Sequence, residues 1–202
     1  MKNLTTAPYK KLLPVDLISM PWRNGGGITT EIAKGGKSSD GGGWGWRISI
    51  AVVATDGPFS IFGGIDRTLS VIEGNGMDLY HPDGQQIALN LFEVVEFDGG
   101  IRLEGKLRDG PIKDFNVMVD RNSFSANLQI HNGKTQVEPI VENNSLVLIH
   151  LLSGKESQIE CSQNIVSLRS HETMIYRNNK ILKICLSEDA VIAITRINKN
   201  ND

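Results

Sequence analysis

From Trp44 onward, apolar and polar positions alternate in short runs of about 5 to 8 residues, separated by turn residues. In the run after Trp44, Trp46, Ile48 and Ile50 face one way, while Arg47, Ser49 and Ala51 face the other. Residues 65–72 alternate with Arg67 among Ile65, Leu69 and Val71 on one face. Asp114 to Val119 places Phe115, Val117 and Val119 opposite Asp114, Asn116 and Met118. Asp56–Phe59, Glu73–Gly76, Pro82–Gly84 and Asp98–Gly100 carry the residues that turns use. Beyond Arg121 the runs are broken at His131–Gly133, Asn143–Asn144, Ser153–Gly154 and Asn178–Asn179, and the polar tail after Ile197 reads as frayed. No segment keeps a helical period over 12 residues, so the pattern predicts an all-β sandwich or barrel.

Within this pattern, Ser70–Leu79 resembles His150–Ile159: an apolar pair, a polar residue, a glycine, a spacer and an apolar residue. Gly74 and Gly154 stand 80 positions apart, which suggests two similar β-barrel halves, divided as 1–120 and 121–202. Residues 1–20, punctuated by Pro8 and Pro14, read as an edge strand or an arm. The chain is 202 residues long, enough for a sizeable core, with 21 Lys and Arg against 23 Asp and Glu. No cationic block points to nucleic acid or an anionic membrane, and no apolar run approaches the ~18 residues of a membrane span. Cys161 and Cys185, each in an apolar run, read as buried free thiols of a cytoplasmic protein.

The stretch Pro21–Ala33 (PWRNGGGITTEIA) is unlike the rest. Trp22, Arg23 and Asn24 precede three glycines, Gly25, Gly26 and Gly27, and a strand-like run then carries Thr29 and Glu31 on one side. Glycines here cost backbone entropy, so they mark a positive φ or a close approach. Two readings stand: a binding loop handing over to a strand, or a tight turn with a buried Trp. The next stretch, Gly35–Gly43, reads as a mobile polar loop; its Gly-Lys-Ser lacks the upstream glycine of a phosphate loop, where Glu31 stands instead.

An arginine on an apolar face must be paired or hold a ligand, which singles out Arg67. Arg47, Asp66 and Glu31 join it as charged candidates, with salt bridges among them as the structural alternative. Guanidinium groups clamp carboxylates, Asn and Thr read carbonyls and amides, and Trp covers a planar part. The set suits a small carboxylic acid. The four histidines, His81, His131, His150 and His171, have no ligand spacing, so no metal and no cofactor are expected.

Taken in order, PWRNGGGITTEIA, WRISIAVV, DGPFSIFGGIDRTL, EGNG and DFNVM resemble the HutD/Ves family from Pro21 to Met118, with a looser fit beyond. Gly63 stands where the family commonly has Pro, and Thr30 where a basic residue is frequent. The resemblance implies a bicupin, two cupin-like barrels in one chain, with residues 21–33 as the signature loop of the first. It also implies a cytoplasmic accessory protein of histidine utilisation or stress response that binds an acid such as formylglutamate or urocanate. The expected partners are that acid and, as a homodimer, a second copy of the chain. An acyl-amide hydrolase or isomerase using Glu31 or Asp66 as acid–base group is the alternative, and an interaction module with a vestigial site is a third.

Overall fold

Alternation over short runs becomes strand almost throughout. The computed structural model describes residues 9–23, 25–41, 43–139, 145–161, 164–177 and 182–200. Asn24 and the expected turns at Asn143–Asn144 and Asn178–Asn179 lie outside them. In chain order the first strands are β1 (Tyr9–Leu12), β2 (Ile18–Pro21), β3 (Gly27–Gly35), β4 (Trp46–Val53), β5 (Gly57–Pro58) and β6 (Ile65–Glu73). Then come β7 (Met77–Tyr80), β8 (Gln86–Leu89), β9 (Val94–Asp98), β10 (Glu104–Leu107), β11 (Ile112–Asp120) and β12 (Phe124–Asn132). The last are β13 (Gln136–Val137), β14 (Ser145–Ser153), β15 (Glu156–Cys161), β16 (Asn164–Arg169), β17 (Thr173–Tyr176), β18 (Leu182–Cys185) and β19 (Val191–Lys199). The helical component among the described residues is one 3₁₀ turn, Pro14–Asp16. The protein is all-β.

Contacts gather the chain into two units, residues 17–128 with 199–202, and residues 1–16 with 129–198. The opening arm belongs with the C-terminal strands because β1 pairs with β17, Tyr9 opposite Tyr176 and Leu12 opposite Thr173. The unit of residues 17–128 has a six-stranded sheet, β2-β3-β4-β11-β6-β9, and a four-stranded one, β5-β10-β7-β8. Between them pack Leu69, Val71, Met77, Leu79, Leu103 and Ile112, each at most 2% exposed. The other unit has the sheets β1-β17-β14-β19-β12 and β13-β18-β15-β16, with a core that includes Val147, Ile149, Leu151, Ile192 and Ile194. Each sheet runs from edge to edge rather than closing on itself, so the closed barrels expected from the strand count are not formed.

The weak repeat has a structural counterpart. The order β4-β11-β6-β9 in one unit is the order β12-β19-β14-β17 in the other, and β5-β10-β7-β8 matches β13-β18-β15-β16. Gly74 and Gly154 turn the chain from the larger sheet to the smaller with φ of 97° and 102°. A Cβ would lie 2.7 Å from the Pro111 carbonyl oxygen at Gly74 and 2.8 Å from the Ala190 Cα at Gly154, so both places require glycine.

Two local expectations change. The polar tail does not fray at Ile197: β19 continues to Lys199, Asn198 pairs with Ser145, and the Asn200 N–H donates to the Ser123 carbonyl at 2.9 Å. The Gly-rich stretch is also tied down, because the buried Asp120 carboxylate accepts hydrogen bonds from the Ser38 and Ser39 hydroxyls at 2.7 and 2.8 Å. Both cysteines are free; Cys161 is buried as expected, whereas Cys185 is half-buried because it follows Ile184 out of the core.

Candidate functional site

Within the unit of residues 17–128, the six-stranded sheet carries a row of polar side chains on the face that the alternation sets aside for Arg47, Asp114, Asn116 and Arg67. Met118 pairs with Arg47 of β4 on one side and Arg67 of β6 on the other, so the two arginines flank it in one row. Asn116 stands between Ser49 and Leu69, and Asp114 between Ala51 and Val71. These rows floor a cavity of about 520 Å³. Its walls include Phe59, Ser60 and Phe62 from the chain after β5, Trp22 and Arg23 from the loop after β2, and Met77 from β7.

Arg67 is 5% exposed. Three aromatic rings surround its guanidinium, with the Phe59, Phe62 and Phe97 centroids 5.2, 5.8 and 5.1 Å from Cζ. One terminal nitrogen donates to the Ser60 carbonyl at 3.5 Å, and Nε finds no hydrogen-bond partner among the described residues. Burial pushes the guanidinium down to about 10; Asp114 opposes the shift and Arg47 adds to it. Arg67 therefore stays charged at neutral pH, without an ion pair among the described residues.

Asp114 is 3% exposed and Asn116 9%. The Ala51 N–H donates to the Asp114 carboxyl, while Oδ1 of Asp114 and Oδ1 of Asn116 have no partner among the described residues. Burial raises the Asp114 carboxyl to about 7, against the opposing pull of Arg67 and the Ala51 bond. Of Glu31, Asp66 and Asp114, this is the carboxyl that lines the cavity. Asn116, Ser49 and the Phe59–Phe62 wall are additions that sequence reasoning did not single out as site residues. The alternation had already put Asp114 and Asn116 on one face, and antiparallel pairing with the Arg47 and Arg67 faces was the signal available for joining them.

The other candidates separate into two groups. Trp22, Arg23, Thr29, Arg47 and Arg67 line the cavity. Glu31, Asp66, Gly25, Gly26 and Gly27 do not. Glu31 accepts from Arg47 Nε at 2.9 Å and pairs with Lys34 at 3.0 Å. Asp66 turns outward to Arg121 at 2.8 Å, because its position on β6 faces away from that of Arg67. Gly25 and Gly26 lie in the β2–β3 turn and Gly27 opens β3, with Gly25 at φ 73° and the Trp22 N–H donating to the Gly27 carbonyl at 2.9 Å. Trp22 Nε1 in turn donates to Thr29 Oγ1 at 2.7 Å, which seats the ring at the cavity wall. Asn24 lies outside the described residues. Among the described residues, no three His, Cys, Asp or Glu side chains come together as metal ligands.

The internal duplication supplies a control for this polar set. Val71 pairs with Asp114, Leu69 with Asn116 and Arg67 with Met118. In the matching strands Leu151 pairs with Ile192, Ile149 with Ile194 and Val147 with Arg196. Val147, Ile192 and Ile194 thus hold the places of Arg67, Asp114 and Asn116, and all three belong to the apolar core of their own unit. The sheet geometry does not need charge there. Burying these groups unsatisfied is costly, and although Arg196 stands in the place of Met118 in the other unit, the absence of polar groups at the three equivalent places makes this cavity the candidate site.

The family model HutD matches residues 15–194. A 21.2 kDa protein from the hutC 3' region of Pseudomonas putida is 37% identical over 123 residues, 60% of this chain and 64% of that protein. Protein Ves of Escherichia fergusonii is 34% identical over 119 residues, 58% of this chain and 59% of its own. The chain thus spans about three fifths of the length of these curated relatives. The structure of HutD from Pseudomonas fluorescens SBW25, described as a formate condition, aligns with TM-score 0.79 at 28% identity, covering 96% of this chain and 100% of that one. The bacterial pirin of Escherichia coli shares the fold alone, at 9% identity and TM-score 0.66 over 93% of this chain and 98% of that one.

Proposed function

Because the chain belongs to the HutD family, we propose that it is a metal-free binding protein for a small carboxylic acid such as formylglutamate or urocanate, held in the Arg67 cavity. In this reading each unit is a cupin-like half, and the protein is a cytoplasmic accessory or regulatory factor of histidine utilisation or stress response. The observation that carries it is Arg67. Arg67 is buried, lines a cavity of about 520 Å³ and has no partner for its Nε among the described residues, at a place where the duplicated unit has Val147. A carboxylate is the ligand that satisfies such a group, since it accepts from Nε and a terminal nitrogen together. The guanidinium of Arg47, in the same register row, supplies a second cation, and Trp22 and Phe62 offer flat walls to the rest of the molecule.

Thermal unfolding with a panel of small acids tests the reading. At ligand near 100 times the dissociation constant, binding adds about 2.7 kcal/mol. For a chain of this length that raises the midpoint by roughly 5–10 °C. Formylglutamate and urocanate are expected to give such a shift. No shift with any acid of the panel rejects the binding function.

An acyl-amide hydrolase or isomerase is the second reading, and Asp114 is the observation in its favour. A carboxyl near pKa 7 on the cavity floor suits acid–base work at neutral pH, which Glu31 and Asp66 are not placed to do. Product formation from the bound acid separates the two.

A further inference from the structure

Duplication leaves one edge of the larger sheet covered in one unit and bare in the other. β9 and β17 hold equivalent places, beside β6 and β14, but β17 has a further neighbour, β1, while β9 ends its sheet among the described residues. The turns that lead into the two strands are alike. Phe92 and His171 both take a positive φ, 66° and 65°, and their N–H groups donate to the Val71 and Leu151 carbonyls. Glu93 accepts from the Asn90 N–H at 3.0 Å, as Glu172 accepts from the Arg169 N–H at 2.8 Å. Val94, Val95, Glu96 and Phe97 therefore stand at the places of Thr173, Met174, Ile175 and Tyr176. In the duplicated unit β1 sets Lys10 opposite Ile175, Lys11 Nζ reaches Glu172 at 2.6 Å, and all four β17 residues are at most 8% exposed. On β9, by contrast, Val94 is 38% exposed, Glu96 is exposed, and Val95 and Phe97 are half-buried.

The bare edge is ready to pair. Gly99 donates its N–H to the Ile65 carbonyl, so the alternation of an antiparallel ladder turns the backbone groups of Phe97 and Val95 to β6 and those of Val94 and Glu96 outward. Such an edge is a template for another strand. Its charge states which strand. Glu93 stands where Glu172 binds Lys11 and makes no ion pair among the described residues, Arg108 being bonded to Asp78 and Asn90 instead. Glu96 stands where Ile175 faces Lys10. We propose that the free edge of β9 docks an extended basic segment of a partner protein, which adds an antiparallel strand as β1 does on β17 and sets Lys or Arg against Glu93 and Glu96. A second copy suits the place less well: antiparallel pairing of two such edges about Glu96 opposes like charges, and the copy's β1 is held by its own β17. No β9 residue lines the cavity, so this edge and the acid site are independent.

Two-dimensional NMR of the full chain tests the docking edge, with the β1 sequence itself as the probe: a peptide of sequence 6–14, TAPYKKLLP, added to millimolar concentration. Saturable shifts of the Val94 and Glu96 amides are expected, and a matched peptide with both lysines replaced by glutamate is expected to give none. N-methylation of the peptide at the backbone nitrogen of the first lysine, the residue that lies opposite Ile175 in β1, should abolish the shifts, because strand addition needs that donor. Glu93→Gln combined with Glu96→Gln changes two exposed side chains and should weaken binding roughly 2- to 30-fold, the range for two surface ion pairs. Absence of shifts at millimolar peptide overturns the docking edge, and so do shifts confined to Thr173–Tyr176, which would mean that the peptide displaces β1. Equal binding of the N-methylated peptide overturns strand addition, and equal binding of the glutamate peptide overturns the basic partner. A dimer in sedimentation that Glu96→Pro dissolves would put a second copy at this edge instead.

Discussion

The Oε2 of Glu31 accepts from Arg47 Nε at 2.9 Å, so the acid beside the signature turn positions the second cavity arginine instead of facing the cavity itself. The bond uses one of the five guanidinium donors and leaves the fork directed by a partner on the neighbouring strand. Both side chains are mostly buried, at 17% and 14% exposed. Replacing Glu31 by Gln should therefore lower stability by about 1–3 kcal/mol, the usual cost of disrupting a charged hydrogen bond. Acid binding should weaken several-fold without being lost. Burial opposes ionisation of Glu31, but its bonds with Lys34 and Arg47 prevail and hold its pKa below the usual value. The pair therefore stabilises the protein above about pH 4.5 and the contribution fades as pH falls below that. Urea titrations of wild type and Glu31→Gln at neutral and acid pH measure both effects, and equal stabilities at neutral pH would remove the positioning role.

Arg67→Leu separates a binding arginine from a structural one. A structural arginine would have a carboxylate partner, and its loss would leave that partner buried and unpaired. Arg67 makes no ion pair among the described residues, Asp114 feeling its charge without a bridge between them, and its equivalent in the duplicated sheet is Val147. The apolar variant is thus expected to fold with stability equal to or above that of wild type, while the ligand-induced shift of roughly 5–10 °C disappears. A folded Arg67→Leu variant that keeps the shift would take Arg67 out of the site. A large drop in stability would make its cage of three phenylalanines the main reason for its presence.

Much of the fold was legible because β4, β6 and β11 alternate in sequence, and their register sets Arg47, Arg67, Asp114 and Asn116 on one face as read. β14 and β17, by contrast, are largely apolar and buried on both faces and show no such period. The repeat around Gly74 and Gly154 could also be read, because both turns need the same backbone conformation. Pairing partners were not legible. That β1 joins β17 is a contact between residues more than 160 positions apart, and nothing local in Tyr9–Leu12 specifies it. The same limit hid the site. Arg47 and Arg67 stood out singly, but Asp114 and Asn116 join them only once β11 is known to lie between β4 and β6. Asp66 was misplaced for a simpler reason: neighbours in sequence on a strand face opposite ways.

The three glycines of the signature stretch should differ in what they tolerate. At Gly27 a Cβ would lie 2.3 Å from the Val52 carbonyl oxygen and 3.0 Å from the Trp22 ring. Backbone on one side and a cavity wall on the other leave no room to relax, so Gly27→Ala should cost about 3 kcal/mol or more and disturb Trp22, whose fluorescence would report it. At Gly25 nothing lies within 4 Å, and only the φ of 73° opposes a side chain. Gly25→Ala should cost only about 1 kcal/mol. Equal costs at the two positions would mean that turn conformation, rather than close approach, explains the run.

Asp114 should leave a signature in the pH dependence of stability. Its carboxyl is raised by burial from 3.8 to about 7, so between those limits the folded chain holds a proton that the unfolded chain has released. Stability from this group is then fully retained below about pH 4 and falls as pH rises toward 7, after which the loss is complete. Other groups slope the opposite way. Burial, aided by the charge of His171, lowers His150 from 6.5 to about 3, so protonation at low pH favours the unfolded chain. Asp120 titrates below its ordinary range, because hydrogen bonds from Ser38, Ser39 and Asn122 outweigh the effect of burial. The total curve mixes these contributions, and a difference measurement isolates Asp114. The stability of Asp114→Asn relative to wild type is expected to increase steadily from about pH 4 to pH 7 and to level off above, since the amide cannot release a proton. Urea unfolding at half-unit pH intervals gives that difference. A flat difference curve would place the Asp114 titration at its ordinary value and withdraw it as the neutral-pH carboxyl of the cavity.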